Sequence, residues 1–166
     1  VLVRRFLRAM GPAAPANLAA WLGITSTAAK RWWQLIAEDL VPVSLEGATR
    51  HVHHGDLDLL TSPLSLPPPR LLTAYDPLTE LADRRWLVPD PTRRQQVWSP
   101  TANPGVVLID GEISGTWRQR TARGQLTITV TPFRPLGDDQ VDVLSRDAHV
   151  IAEHAGADRH SVVLAA

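Results

Sequence analysis

Three consecutive prolines, Pro67, Pro68 and Pro69, stand inside the stretch TSPLSLPPPR at residues 61–70. None carries a backbone N–H and each fixes φ, so neither a helix nor the middle of a sheet can run through them. The stretch reads as a stiff, extended linker. Any hydrophobic core must then form separately on either side of it, which predicts three segments: a helical domain over 1–62, linker and short helix over 63–92, and a strand-rich domain over 93–166. With 166 residues and a 44% hydrophobic fraction the chain has material for one ordinary domain or two small ones.

On the N-terminal side, Arg4, Arg5 and Arg8 recur at helical spacing opposite Leu2, Phe6, Leu7 and Met10, predicting an amphipathic helix ended by Gly11-Pro12. Pro15 suits the first turn of a second helix, Leu18 and Leu22 lie one turn apart, and Gly23 supplies the positive φ of a sharp exit. Thr25 or Ser26 caps a third helix running to about Glu38, with Ala29, Trp32 or Trp33, and Ile36 as its buried stripe. Strands at 40–45 and 48–53 flank a tight Glu46-Gly47 turn and make a hairpin. Helix, helix, glycine turn, helix, hairpin is winged-helix order, in which the third helix would lie in a major groove.

Beyond the prolines, Asp76 in YDPLTELADRRW is placed to cap a short helix begun by Pro77. Strands follow at 106–109, 112–121 and 125–133, joined by an Asp110-Gly111 turn and a second turn at 122–124. QLTITVTPF alternates threonine with Leu126, Ile128 and Val130, the pattern of a sheet with one wet face. A last helix over 138–154 would turn Val141, Leu144, Ala148 and Ile151 onto that sheet. The predicted fold class is therefore α+β: a winged helix-turn-helix followed by a small antiparallel β-barrel with a C-terminal helix.

Seventeen basic and seventeen acidic residues cancel, so any nucleic-acid footprint has to be local. It is concentrated in one place: between residues 93 and 123 stand Arg93, Arg94, Arg118, Arg120 and Arg123 against Asp110 and Glu112, whereas 138–158 is acidic. The absence of cysteine excludes disulfides and thiolate chemistry and fits a reducing cytoplasm. No apolar run approaches the roughly 20 residues that span a bilayer, so no membrane partner is expected. The first ten residues look like the middle of an amphipathic helix, as expected of a piece of a longer chain.

Three groups of residues are candidate DNA contacts. Ser26, Thr27, Lys30, Arg31 and Gln34 occupy the third helix opposite its apolar stripe and are donor types that reach phosphates and base edges, although a solvated helix face or a protein-binding module would look the same. Arg118 and Arg120 alternate with Trp117 and Gln119, so the arginines share one sheet face near Arg123, with Arg93 and Arg94 upstream. Such a patch could track a phosphate backbone or could shield a sheet edge from aggregation. His51 and His53 share a strand face and could ligate a metal, touch phosphates as a wing, or simply be exposed. With no cysteine, and with Asp56 and Asp58 across a Gly55 turn without ligand spacing, no metal or other cofactor is expected. No Gly-x-Ser-x-Gly elbow and no glycine-rich phosphate loop is present. The carboxylate pairs Asp76 with Glu80, and Asp110 with Glu112, have structural accounts as a helix cap and a turn with its flank.

Three stretches, RRFLRAMGPAAPANLAAWLGIT, LLTAYDPLTELADRR and VVLIDGEISGTWRQR, resemble in order the winged-helix DNA glycosylases of the AlkZ/YcaQ type, which excise alkylated bases and unhook interstrand crosslinks. The likeness covers residues 4–120, with Tyr75 where the family motif has phenylalanine. Family members are about twice this length, with tandem winged helices and a C-terminal barrel around a DNA channel, so the resemblance implies a C-terminal half lacking an N-terminal partner half. The family's catalytic signature, a Gln-hydrophobic-Gln or Gln-hydrophobic-Asp triplet, is expected in that other half, and no such triplet is expected in this chain: Gln95-Gln96 lacks the spacer and Gln119 precedes Arg120 and Thr121. The implied function is DNA binding in the repair of alkylated or crosslinked bases, with double-stranded DNA as partner, the two domains forming one wall of a cleft, and hydrolase activity of this chain left open. The alternative is a winged-helix transcription regulator or protein-interaction module.

Overall fold

The computed structural model describes residues 1–62, 65–81 and 83–165. They form two compact units, drawn from residues 1–65 with 80–82 and from 66–79 with 83–166. No helix among the described residues is long and apolar enough to cross a membrane.

In the first unit, helices α1 (Leu2–Met10), α2 (Pro15–Leu22) and α3 (Ser26–Gln34) precede a hairpin of β1 (Leu40–Leu45) and β2 (Ala48–His53). The local reasons are those in the sequence. Gly23 at φ 64° gives α2 a left-handed end, its N–H reaching back to the carbonyls of Ala19 and Ala20. Thr25 caps α3 by accepting from Ala28 N at 3.2 Å. Glu46 and Gly47, at φ 48° and 77°, make the paired positive-φ turn that matches strand twist. Val3, Phe6, Leu7, Leu18, Ala29 and Trp33 form the core. One expected core position moves, Val3 rather than Leu2 pointing inward, and of the two candidate tryptophans Trp33 is the buried one. Helix α3 also stops short of Glu38. Ile36 leaves helical geometry at φ −128° while still packing on the core, and a 3-10 turn over Ala37–Asp39 leads into β1. Backbone bonds Ala13 N to His51 O and His51 N to Ala13 O, 3.0 and 2.7 Å, tie the α1–α2 connection to β2. A second 3-10 turn and the short α4 (Leu57–Thr61) follow.

The second unit is a five-stranded sheet in the order β3 (Arg70–Leu72), β4 (Gly105–Ile109), β5 (Glu112–Ala122), β6 (Gln125–Pro132), β7 (Arg159–Leu164). Asp110-Gly111 and Arg123-Gly124 again pair two positive φ angles at the two hairpin turns. Helix α7 (Asp138–His154) lies on one face. Leu144, Ala148 and Ala152 recur every four residues and pack on Val107, Ile109, Trp117, Leu126, Ile128 and Val130. Each of the large side chains in this layer contributes about 1.5–3 kcal/mol by burial. A smaller core on the opposite face joins Val106 and Ile113 to Val88 and Val97, carried by α5 (Arg84–Leu87), α6 (Pro91–Val97) and their connection. Asp76 does not start a helix: its Oδ1 accepts from Leu78 N at 2.9 Å, and residues 77–80 form a turn. The nearest true cap is Asp90, which accepts from Thr92 N at 2.8 Å with Pro91 at the head of α6.

The predicted antiparallel barrel does not form; the sheet is open, with β3 and β7 at its edges. Two features prevent closure. Asp147 of α7 accepts from Leu71 N and from the Arg70 guanidinium, both at 2.9 Å, so a side chain occupies the edge donor of β3 that a closing strand would need. Helix α7 acts as a crossover that returns β7 parallel to β6, a strand absent from the sequence reading.

One contact sets how β3, β4 and β5 meet. The Trp117 indole lies over Gly105 and donates Nε1–H to Leu72 O at 2.8 Å. A Cβ on Gly105 would collide with that ring and sit 2.8 Å from Leu72 O. Gly105→Ala is expected to lower stability by about 1–3 kcal/mol, seen as a lower urea midpoint with unchanged slope; a variant as stable as the parent contradicts this packing.

Candidate nucleic-acid interface

Strand β5 outruns its neighbour. Strand β4 begins at Gly105, opposite Trp117, so from Arg118 to Ala122 β5 pairs with β6 alone. Its first half is buried between the two cores, and from Arg118 onward every residue is exposed. The change from greasy to basic thus falls where the covered part of the sheet ends. Register puts Trp117 on the α7 face, and Arg118 and Arg120 on the other, opposite Thr129 and Thr127. Arg120, Ala122, Arg123, Gln125 and Thr127 line a shallow hollow of about 430 Å³. Arg123 occupies the first position of the turn at φ 51°. Beside β6 on the same face, β7 adds Ser161 opposite Thr127 and Arg159 opposite Gln125. Arg159 was not among the expected contacts, because it belongs to the strand that period-two patterning did not reveal. A face of arginine forks interleaved with hydroxyls and an amide is chemically suited to phosphate oxygens.

The upstream arginines are used differently. Arg94 donates Nε–H to Val88 O at 3.0 Å and Nη2–H to Pro89 O at 2.8 Å, bracing the α5–α6 connection. Arg93 lies 5.1 Å over the Phe133 ring. Phe133 packs with the smaller core, on the sheet face that carries Arg118, so Arg93 belongs to the same side and Arg94 is structural.

In the first unit, Ser26, Thr27, Lys30, Arg31 and Gln34 are all exposed on α3. The histidines are not an exposed wing pair. His51 is half-buried with its ring edge-on to Trp33, centroids 6.0 Å apart, which makes it a packing residue. His53 is also half-buried, stacks on His54 at 4.6 Å and accepts from Gly55 N through Nδ1 at 3.1 Å.

Among the described residues one group could approach a metal: Asp39, His53 and His54 offer ligand atoms within 4.8 Å of one another. Asp39 already has a cationic partner. It accepts from Arg4 in an ion pair, and that hydrogen bond, with the charges of Arg4, His53 and His54, holds its carboxyl below the ordinary 3.8. A depressed carboxylate stabilises the fold above the unfolded-state value and loses that contribution as pH falls through the folded value. A metal would have to displace the guanidinium, so Asp39 reads as the ion-pair partner of Arg4 and not as a metal ligand. Asp90 is lowered in the same direction by the Thr92 hydroxyl and backbone N–H.

The expectation that no triplet of the catalytic kind occurs needs one correction. Gln140-Val141-Asp142 has the letters Gln-hydrophobic-Asp. It opens α7, where Gln140 Oε1 accepts from Gly137 N at 3.1 Å, so the side chain serves as a helix cap.

With this geometry in place, the chain belongs to the AlkZ-like DNA glycosylase family, whose model matches residues 1–157. Its mixed α+β fold is similar to that of the Streptomyces sahachiroi DNA glycosylase AlkZ, with a TM-score of 0.78 over 99% of this chain at 23% identity. The chain spans 44% of the length of that solved structure. No curated protein matches it.

One strained residue lies in the second of the three family-like stretches. Tyr75 sits at φ 63° and is 65% exposed, in a turn closed by Asp76 N to Thr73 O at 3.2 Å. A bulky side chain in the left-handed region costs about 1–2 kcal/mol, and exposure returns little of it through packing. Tyr75→Gly is expected to raise the thermal midpoint, by up to about 1 kcal/mol in stability after glycine's own entropy cost. Calorimetry checks this, and a lower midpoint would mean that the ring packs more than its exposure implies.

Proposed function

We propose that this chain is the DNA-holding portion of a base-excision glycosylase-like protein and grips double-stranded DNA through its sugar–phosphate backbone. The observation that carries the reading is the half-strand beyond Trp117, where Arg118 and Arg120 share an exposed face with Thr127 and Thr129, and Arg123 stands at the turn. Five guanidinium donors per arginine in a fixed fork suit phosphate oxygens, and the flanking threonines add neutral donors. Membership of a DNA glycosylase family supports DNA as the partner.

In the first unit, α2, the Gly23 turn and α3 read as a helix-turn-helix, and β1–β2 as its wing. The order of elements and the exposed polar face of α3 support this reading. Trp32 and Leu35, 36% and 77% exposed at the end of the same helix, favour a second use: an apolar α3 terminus suits docking on protein, as in the interaction-module alternative.

The open edge of β5 favours a rival account of the arginines, in which they only discourage strand addition. A salt series separates the two. Binding of a random duplex should weaken steeply with salt, and Arg118→Ala/Arg120→Ala should lower affinity and reduce the log–log slope by about two, one per lost phosphate contact. Unchanged binding, with new aggregation of the double variant, would identify the arginines as an edge shield.

A further inference from the structure

Where β4 ends and β5 continues, the sheet leaves a gap, and the structure surrounds it. Residues 73–74, the 103–105 segment and the C-terminal end of α7 enclose an open cavity of about 600 Å³ against Trp117, Arg118 and Gln119. That size falls within the roughly 300–1,000 Å³ of sites that hold small organic ligands. Trp117, Pro104 and Ile151 supply apolar lining, and Thr73, Asn103, Arg118, Gln119 and His154 supply polar groups. Arg118 is tethered by Nη2–H to Ala102 O at 3.2 Å, which leaves other N–H groups of the fork for an anion. His154 must donate Nδ1–H to Val150 O, 2.9 Å away, because a carbonyl only accepts; Nε2 of the neutral ring is then an acceptor. Strand geometry adds a further pair: of two consecutive residues on an unpaired edge, one directs both its N–H and its C=O outward.

We propose that this cavity binds a nucleotide unit: a planar base on the apolar lining, its donor–acceptor edge against the free backbone of β5, and its phosphate at Arg118. The choice of ligand rests on the DNA-binding reading, while the cavity itself does not depend on it. The unit could be a free mononucleotide or an unstacked nucleotide of a DNA strand.

The test follows the Trp117 indole N–H and the backbone amides of residues 118–119 and 154–155 in ¹H–¹⁵N spectra of the full chain during titration with dAMP. Saturable shifts are expected, with at least about tenfold weaker binding in Ala155→Phe, which fills the exposed mouth, and in His154→Ala. Deoxyribose 5-phosphate should shift these signals far less. Equal response to the sugar phosphate would reduce the cavity to an anion site and overturn the proposal, as would no response to dAMP. Duplexes with and without a single bulged adenine separate the sources: preference for the bulge, lost in Ala155→Phe, marks a strand nucleotide, and equal binding of both marks the free nucleotide. If dAMP binds and no duplex does, the DNA-binding reading fails and the cavity assignment stands.

Discussion

Trp117 is the residue on which the second unit turns. Its ring needs the missing Cβ of Gly105, its N–H holds Leu72 O, and its face joins the layer under α7. Together these bring β3, β4 and β5 to one point and mark where β4 stops contributing to the sheet. Everything functionally suggestive in this unit lies just past that point. The gap itself is a cavity that reaches α7 and is lined in part by Arg118, and the face away from α7 carries Arg120 and the threonines. A strand that continues after its neighbour has ended exposes both backbone and side chains, and here the side chains at that edge are charged.

Local chemistry made much of the fold legible. Glu46-Gly47, Asp110-Gly111 and Arg123-Gly124 each mark a hairpin, since two adjacent left-handed residues are what a two-residue turn requires. Gly23 and Thr25 likewise mark where α2 ends and α3 begins. The errors came where the decision is not local. Trp32 and Trp33 are adjacent and equally apolar, so periodicity leaves the choice between them open, and Trp33 is the one that joins Phe6, Leu18 and Ala29 in the core. Barrel closure depends on what meets a three-residue strand, and the Asp147 carboxylate that does so lies 76 positions away from Leu71. The parallel return of β7 follows from the route of α7, which periodicity does not encode. Asp90-Pro91 was a readable cap signal for α6, overshadowed by the similar Asp76-Pro77.

The candidate site was legible in outline. Alternation alone puts Arg118 and Arg120 on one face and Trp117 on the other, and the structure has them there. Arg94 and His51 show what alternation and charge leave out: a guanidinium can be consumed by carbonyls of its own loop, and an imidazole can be core packing against Trp33. Arg159 shows the converse, a cation brought to the face by a strand whose partner is chosen through a helix.

The central claim is that the exposed outer half of β5 contacts DNA. Hydrogen exchange of backbone amides with and without a short duplex tests it most directly, because the open edge of β5 has no β4 partner to protect it. The account predicts slowed exchange on duplex binding over residues 118–124, with little change in the buried half of the same strand. Protection confined to other surfaces, with 118–124 exchanging as fast as in the free protein, would contradict it.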